Sequence, residues 1–463
     1  MHKTQNLALA LLLLVGLCQR GDARDETQPP ATIPPNIVLI YADDLGYADL
    51  GCYGSSLHRT PNLDQLATGG MLFTNAYANA PNCAPSRACL MSGQYGPRHG
   101  IYTVQGSARG KAENRKMVPP KNRTVLPDEI WTLPEMLREA GYVSAQIGKW
   151  HLGADPRTQG FDLNVAGNQA GHPKSYFSPY RNEQLPDGEA GEYLTDRLTD
   201  ESIEFMETNR SRPFFLYLSH YAVHTPIQAK QDLKDFYAER NKGGNPGYAA
   251  MVDSLDQSVG RIIECLERLE LRENTLVLFT SDNGGNGGVT SMAPLRGSKG
   301  MLYEGGIREP FIASWPGHIE AGVKEHSIVI GTDLFPTLAQ LGRAKVPEDA
   351  LLDGVDISGL LLGESALVPR ELHWHFPAYL EAGGKRRQGS PWRTTPVAAI
   401  RQGRFKLIEF FEDGRLELYD LVEDISEEHN LAEKMPEKVT ELHGLMAEWR
   451  KQTDAAMPSL IDK

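Results

Sequence analysis

The chain has 463 residues, 40% of them hydrophobic and 23% charged, with a formal net charge of −13. Such a composition belongs to a globular protein with a large core, and the acidic balance excludes a nucleic-acid binder, which carries a basic face. An anionic substrate has to be drawn in by local positive charge, not by the field of the whole molecule.

In chain order, residues 1–23 come first. His2 and Lys3 precede the apolar run LALALLLLVGL, and Gly21-Asp22-Ala23 supplies small residues at a cleavage site. This reads as a secretory signal peptide, since the run is too short to span a bilayer. No later stretch is long and apolar enough for one, so an exported chain, periplasmic or secreted and without membrane insertion, is expected. Beyond the leader there are only Cys52, Cys83, Cys89 and Cys265. A disulfide-stapled scaffold uses far more, and no spacing marks a zinc site.

Four short apolar runs follow, each ending in polar residues. NIVLIYADD (36–44) ends in Asp43-Asp44, and YVSAQIGKWHLG (142–153) in Lys149 and His151. PFFLYLSHYAVHTP (213–226) ends near His224, and NTLVLFTSDNGG (274–285) in Asp282-Asn283. Continuous runs of this kind suit strands buried on both faces of a mostly parallel sheet. Between them, TPNLDQLATGG (60–70) and TLPEMLREAG (132–141) carry Thr and Pro as helix-start signals and Gly as a stop. Residues 245–271 hold helical spacing long enough for the longest helix. The expected fold is α/β, a mixed, mostly parallel sheet sandwiched by helices over residues 35–345. A Gly/Pro/Asp-bearing connection (346–370) then leads to RFKLIEFFEDGRLELYDL (404–421), two strands about the turn Glu412-Asp413-Gly414. Residues 437–451 form a helix with Leu442, Leu445, Met446 and Trp449 on one stripe, so 346–463 reads as a smaller C-terminal α+β domain.

In open α/β sheets, ligands bind outside the carboxyl ends of the strands, and every polar pair above falls at such an end. Asp43-Asp44 and Asp282-Asn283 bring three carboxylates and one amide oxygen to a single edge. Three carboxylates without a cation resist ionising together, and an all-oxygen set suits a hard divalent ion, Ca2+ or Mg2+. Lys149, His151, His224, Arg87 and Lys299 of PLRGSKGMLYEGG (294–306) together describe a pocket that binds an anion and moves a proton on it.

In NCAPSRACLMSGQYGPRHG (82–100), Pro85 suits the first position of a helix running to Gly93. Cys83 then stands at a helix N-terminus, where backbone N–H groups attract anions and lower a thiol's pKa. The residues alone leave two readings, a cysteine nucleophile beside a phosphate- or sulfate-like group, or a Cys83–Cys89 disulfide. In an export compartment a free thiolate is open to oxidation, which weighs against a plain thiol nucleophile.

Cys83-Ala84-Pro85-Ser86-Arg87, with Leu90 and Gly93, resembles the C-x-P-S-R-x-x-x-L-x-G signature of the type I sulfatases, in the alkaline phosphatase superfamily. YADDLGYADLGCYG, IGKWHLG, HYAVHTP, SDNGG and the Gly-Ser-Lys of PLRGSKG join it in the family's order, and the resemblance covers roughly residues 35–460. It implies an alkaline-phosphatase-like fold and a Cys83 that a formylglycine-generating maturation enzyme oxidises to an aldehyde, neither thiol nor disulfide. By the same resemblance the aldehyde hydrate is the nucleophile and Asp43, Asp44, Asp282 and Asn283 match the Ca2+ ligands. Arg87 would hold the hydrate, and Lys149 and Lys299 the sulfate oxygens. His151 would be the base that collapses the covalent intermediate, and His224 the acid for the leaving oxygen. A further polar residue common in such sites falls within GNQAGHPKSYFSPYR (167–181), unassigned.

Export together with this machinery implies a sulfuric ester hydrolase acting on a sulfated glycan, as in polysaccharide degradation. In HWHFPAYLEAGGKRRQGSPWR (373–393), His373, Trp374, His375, Tyr379 and Lys385-Arg386-Arg387 form either a glycan subsite or a solvated loop. The alternatives to a sulfatase are a phosphomonoesterase or phosphodiesterase on the same fold, which would use Ser or Thr where Cys83 stands, and a catalytically silent glycan-binding protein.

Overall fold

Every residue of Asn36–Ala42 (β1) is buried, which requires a strand on each side and a covering layer on each face. The computed structural model, which describes residues 34–240, 243–382 and 390–461, supplies both. The leader read at 1–23 and the basic run Lys385-Arg386-Arg387 lie outside the described residues. The further strands of the main sheet are Met71–Tyr77 (β2), Val143–Gly148 (β3), Leu163–Val165 (β4) and Phe214–Ser219 (β5). Thr275–Ser281 (β6), Arg308–Ser314 (β7), Val323–Glu325 (β8) and Val329–Ile330 (β9) complete it. The nine strands run in the order β9-β2-β7-β6-β1-β5-β3-β4, with β8 also beside β2. β4, β3, β5, β1 and β6 are mutually parallel, while β7 is antiparallel to both neighbours.

The helices that cover the sheet are Pro61–Thr68 (α1), Cys83–Ser92 (α2), Leu133–Glu139 (α3), Leu194–Asn209 (α4), Pro246–Arg268 (α5) and Leu334–Leu341 (α6). Alternation along β1 feeds two separate cores. Val38, Ile40 and Ala42 pack with residues of α1, α4 and α5 on one face. Ile37, Leu39 and Tyr41 meet α2, α3 and α6 on the other. The start signals act as read: Thr132 and Glu135 form a reciprocal capping box on α3, and the Asn245 side chain accepts from the Gly247 and Tyr248 N–H groups at the start of α5. Caps of this kind contribute about 1 kcal/mol each. Among the described residues, no helix is long and apolar enough to cross a membrane.

Glu371–Phe376 (β10), Val397–Gln402 (β11), Phe405–Phe410 (β12) and Arg415–Asp420 (β13) form a second, antiparallel sheet. One face, with Ala398, Ile400, Leu407 and Leu418, takes Leu442 and Met446 of the final helix, Pro436–Gln452 (α7). The other packs Trp374, Phe376, Ala399 and Ile408 with Tyr77 and Ile330 of the main sheet. Two expectations are corrected here. Leu445 is 36% exposed and lies off the apolar stripe. His373, Trp374, His375 and Tyr379 line no glycan subsite, because they are buried parts of this packing. The His373 ring stacks on Trp449 at 4.7 Å, Trp374 donates to the Ala78 carbonyl at 2.8 Å, and the Tyr379 hydroxyl donates to Glu412 at 2.6 Å. Strand alternation in a covered strand decides where such side chains go.

One buried charge cluster joins the two sheets. Lys406 on β12 has no exposed surface, and its Nζ lies 2.9 Å from Glu304 Oε1 and 3.0 Å from Glu427 Oε1. Glu304 also receives Arg308 at 3.1 Å and the Tyr77 hydroxyl at 2.6 Å. Burial, opposed by Lys406 and reinforced by Glu304, pushes Glu427 up to about 7. Lys406→Met leaves two buried carboxylates facing each other and is expected to cost about 3–5 kcal/mol of folding free energy. Denaturant midpoints at constant slope measure it; a loss below about 1 kcal/mol, the scale of an exposed pair, would contradict a stabilising role for the cluster.

Candidate active site

β3, β5, β1 and β6 are neighbours and finish level with one another: Gly148 and Tyr41 both pair with Ser219, and Ala42 with Ser281. The residues that follow each strand therefore emerge at one edge. Asp44 (φ 64°) and His151 (φ 67°) leave it in the left-handed region, which costs a non-glycine residue about 1–3 kcal/mol and persists where the surroundings enforce it. Gly148 (φ 110°) precedes that turn, and a Cβ there would lie 2.0 Å from the Ser219 carbonyl oxygen.

Three acids and three bases are packed at this edge. Lys149 Nζ lies 2.6 Å from Asp43 Oδ2, and Lys299 Nζ lies 2.6 Å from Asp44 Oδ1. Arg87 donates from Nε and Nη2 to Asp282 Oδ2 at 3.0 and 2.8 Å. Its Nη1 donates to the Lys149 carbonyl at 3.0 Å and to the Ser219 hydroxyl, so one guanidinium ties the ends of β6, β3 and β5 together. Asn283 Nδ2 donates to Asp44 Oδ1 at 2.8 Å. Burial, opposed by Lys149 and reinforced by Asp282 and Asp44, pushes Asp43 up to about 8. Burial acts on Asp44 in the same direction, but Lys299, His224 and Lys149 outweigh it and hold that carboxyl below the usual carboxylate range. Asp43 Oδ1 and Asn283 Oδ1 are buried oxygens that no donor reaches among the described residues. Donor atoms of Asp43, Cys83 and Asp282, and of Asp43, Asp44 and His224, each lie within 4.8 Å of one another. Carboxylate and amide oxygens left open in this way fit a hard divalent cation.

α2 brings Cys83 to the same place. Asn82 is its N-cap residue, so Cys83 is the first helical residue and Pro85 the third, two positions later than the sequence suggested. A missing N–H is tolerated there too, because the first turn of N–H groups has no helical acceptor. Asn82 Nδ2 donates to Thr103 Oγ1 at 3.1 Å and the Ser86 hydroxyl to the Ala80 carbonyl at 2.9 Å; Gly93 (φ 66°) ends the helix. Cys52, Cys83, Cys89 and Cys265 are all free, which rules out the Cys83–Cys89 disulfide, and Cys89 Sγ packs 3.4 Å from His99 Nε2. Burial, opposed by Lys149 and Lys299, pushes the Cys83 thiol up. An unmodified thiol here is a poor nucleophile at neutral pH.

Cys83 lines a cavity of about 630 Å³ with His151, His172, His224 and Lys299 on its wall. His224 Nδ1 lies 2.7 Å from the Thr225 carbonyl, which assigns its proton to that nitrogen and leaves Nε2 3.7 Å from Asp44 Oδ2. Burial, with Lys299 next, pushes His224 down to about 3. Burial and Lys149 likewise hold His151 well below the ordinary histidine value. A neutral imidazole at His151 can accept a proton, and an anion held between the lysines would cancel part of the repulsion that keeps His224 neutral.

The sequence reading left the polar residue of 167–181 open. Gln169, Gly171 and His172 of that stretch form part of the wall, and the His172 ring lies parallel to that of His224, with centroids 6.1 Å apart. A Cβ on Gly171 would come within 2.4 Å of His151 Cε1, so glycine is what lets the segment cover that ring. No periodicity marks these residues; the available signal was a histidine beside glycine and proline. The residues singled out from the sequence otherwise gather here, with Cys83, His151, His224 and Lys299 on the wall and Asp43, Asp44, Arg87, Lys149, Asp282 and Asn283 buried at the strand ends.

Two family profiles match the chain: Sulfatase over residues 35–344, and the C-terminal region of N-sulphoglucosamine sulphohydrolase over 298–452. N-acetylgalactosamine-6-sulfatase of Rattus norvegicus is 36% identical over 81% of this chain and 72% of its own length. Arylsulfatase A of Homo sapiens is 35% identical over 92% of this chain and 89% of its own. The crystal structure of Ps i-CgsB in complex with k-i-k-neocarrahexaose superposes with a TM-score of 0.77 at 31% identity, covering 93% of this chain and 95% of that one. The chain belongs to the sulfatase family, and the reaction it performs is sulfate ester hydrolysis.

Proposed function

We propose that this sulfatase releases inorganic sulfate from a sulfated carbohydrate, with formylglycine made from Cys83 as nucleophile and Ca2+ or Mg2+ among Asp43, Asp44, Asp282 and Asn283. The observation that carries the proposal is the placing of Cys83 at the start of α2, in one cavity with His151, His224 and Lys299 and within 4.8 Å of the Asp43 and Asp282 oxygens. A carbohydrate substrate is supported by the relative named as an N-acetylgalactosamine-6-sulfatase and by the fold neighbour solved with a neocarrahexaose.

When bound, the cation supplies Lewis-acid polarisation, and the oxidised Cys83 supplies an oxygen nucleophile that a thiol does not. The rest falls to the chain's own side chains. Lys149 and Lys299 present ammonium groups to the sulfate oxygens, and their contacts to Asp43 and Asp44 at 2.6 Å hold them in place beforehand. Arg87 fixes Asp282. His224, its Nδ1 committed to Thr225, takes up a solvent proton at Nε2 as the anionic ester binds and passes it to the leaving oxygen. Neutral His151 takes the proton whose loss accompanies sulfate release. Cys83 is 2% exposed, so the maturation enzyme has to reach it before the chain closes over it. Export with removal of a leader at 1–23 belongs to the same reading.

Three tests follow from these roles. Mass spectrometry of active protein is expected to find an aldehyde in place of the Cys83 thiol, and Cys83→Ala to lose at least about 10³-fold in kcat; full activity with an unmodified thiol refutes the nucleophile. Chelation is expected to abolish turnover and to lower the unfolding free energy by about 3 kcal/mol relative to protein at saturating ion. A melting curve indifferent to chelator and to added Ca2+ or Mg2+ counts against the cation. His224→Gln is expected to slow hydrolysis of a sulfated sugar by about 10²–10⁴-fold but a nitrophenyl sulfate far less, because that leaving oxygen needs no proton. Equal losses on the two esters would assign the acid elsewhere.

A further inference from the structure

The cavity wall extends well beyond the groups that the reaction uses. Among the described residues, its lining includes the cations Lys299, Arg109 and Arg393 but no Asp or Glu, in a chain whose net charge is −13. Lys299 is matched by Asp44 at 2.6 Å. Among the described residues, no carboxylate pairs with the Arg109 guanidinium. Three cationic side chains that converge on one wall from separate segments of the chain favour an anion there.

Two distant pieces of chain build that wall, and they are fastened to each other. Arg109 sits on the loop 104–110. Arg393 sits in a short antiparallel strand pair in which Leu380 pairs with Thr394 and Glu381 with Trp392. The Trp392 ring lies so close to Gly110 that a Cβ there would come within 2.5 Å of Cζ3. Trp392 Nε1 donates to the Asn114 carbonyl at 3.3 Å, and the Tyr379 N–H donates to the Ser107 carbonyl at 3.0 Å. Arg109 precedes Gly110 and Arg393 follows Trp392, so this contact brings the two arginines to the same stretch of wall. Arg393 then crosses Gly300, where a Cβ would lie 2.8 Å from Cδ, and Nη1 donates to the Lys299 carbonyl at 3.3 Å. The second anionic position thus abuts the loop that carries Lys299.

Given the sulfatase reading on which it rests, we propose that Arg109 and Arg393 form a second oxyanion subsite, and that the substrate is a sulfated saccharide bearing a further negative group, a uronate carboxylate or a second sulfate, close to the ester that reacts. Guanidinium groups pair with carboxylate and sulfate oxygens through their planar donor fork. A cavity of about 630 Å³ lies within the range of small-ligand sites.

The test compares kcat/KM for oligosaccharides that share the reacting sulfated residue and differ in its neighbour: a neutral hexose, the matching uronic acid, or a sulfated hexose. The wild-type protein is expected to favour one or both dianionic sugars by about tenfold or more, a preference that shrinks with added salt. Arg109→Ala and Arg393→Ala are expected to bring the ratio to within about twofold of unity, and Arg109→Lys to retain part of it. Each ratio is internal to one variant, so a reduced folded fraction cancels. A wild-type protein without the preference, or alanine variants that keep it, overturns the subsite. Uronate preference alone identifies a carboxylate as the second anion, and preference for the disulfated sugar alone a sulfate. Calorimetric titration of the same sugars into Cys83→Ala reads the subsite without turnover. Selective binding of the dianionic sugars by a protein that hydrolyses no sulfate ester would overturn the catalytic reading and uphold the subsite; turnover without selectivity would do the reverse.

Discussion

Three carboxylates cannot be buried side by side at the end of a sheet unless equal positive charge is buried with them. Asp43, Asp44 and Asp282 are at most 1% exposed, and an unpaired ion in such a place costs several kcal/mol. Their partners come from unconnected parts of the chain: Arg87 on the second turn of α2, Lys149 beyond β3, and Lys299 in the connection between β6 and β7. Charge balance therefore constrains the relative placing of these elements as firmly as apolar contact does. It also limits the chemistry. Each of these cations already faces a carboxylate, so an added anionic ester calls for further positive charge, which a divalent cation in the proposed site would supply.

The part of this arrangement that was legible in the sequence is the part with a period or a local chemical contrast. β1, β3, β5 and β6 are buried on both faces, so they read as unbroken apolar runs, and the polar pair after each run stood out against it. β2 and β7 were not read. In β2, Thr74 and Asn75 interrupt the run at an irregularity opposite β7, and β7 opens with Arg308 and Glu309, which are buried despite their charge. The 373–376 segment misled in the opposite way: its histidines suggested a ligand surface, yet alternation in a covered strand turned them onto Trp449. Arg109 and Arg393 carried no signal, and His172 only its place beside Gly171 and Pro173, because each depends on contacts between irregular segments far apart in the chain.

The segment from Arg296 to Glu304 shows how the smaller sheet enters the reaction. Near one end, Lys299 reaches Asp44, while Glu304 at the other reaches Lys406 on β12 and receives the Tyr77 hydroxyl. Arg296 donates to the Tyr419 hydroxyl at 2.9 Å and to the Glu427 carbonyl at 2.7 Å, and Arg393 to the Lys299 carbonyl at 3.3 Å. The Gly300 N–H donates to the carbonyl of Pro81, two residues ahead of Cys83, at 2.6 Å. Tyr419, Glu427, Lys406 and Arg393 all lie in the C-terminal part of the chain, so that part fixes the loop on which Lys299 stands. Charged groups accelerate a reaction only if they are held where charge develops, and a displacement of about 1 Å can cost about 10²-fold. The C-terminal sheet is thus mechanically part of the proposed active site, although among the described residues the C-terminal region enters the cavity wall by Arg393 and Leu380.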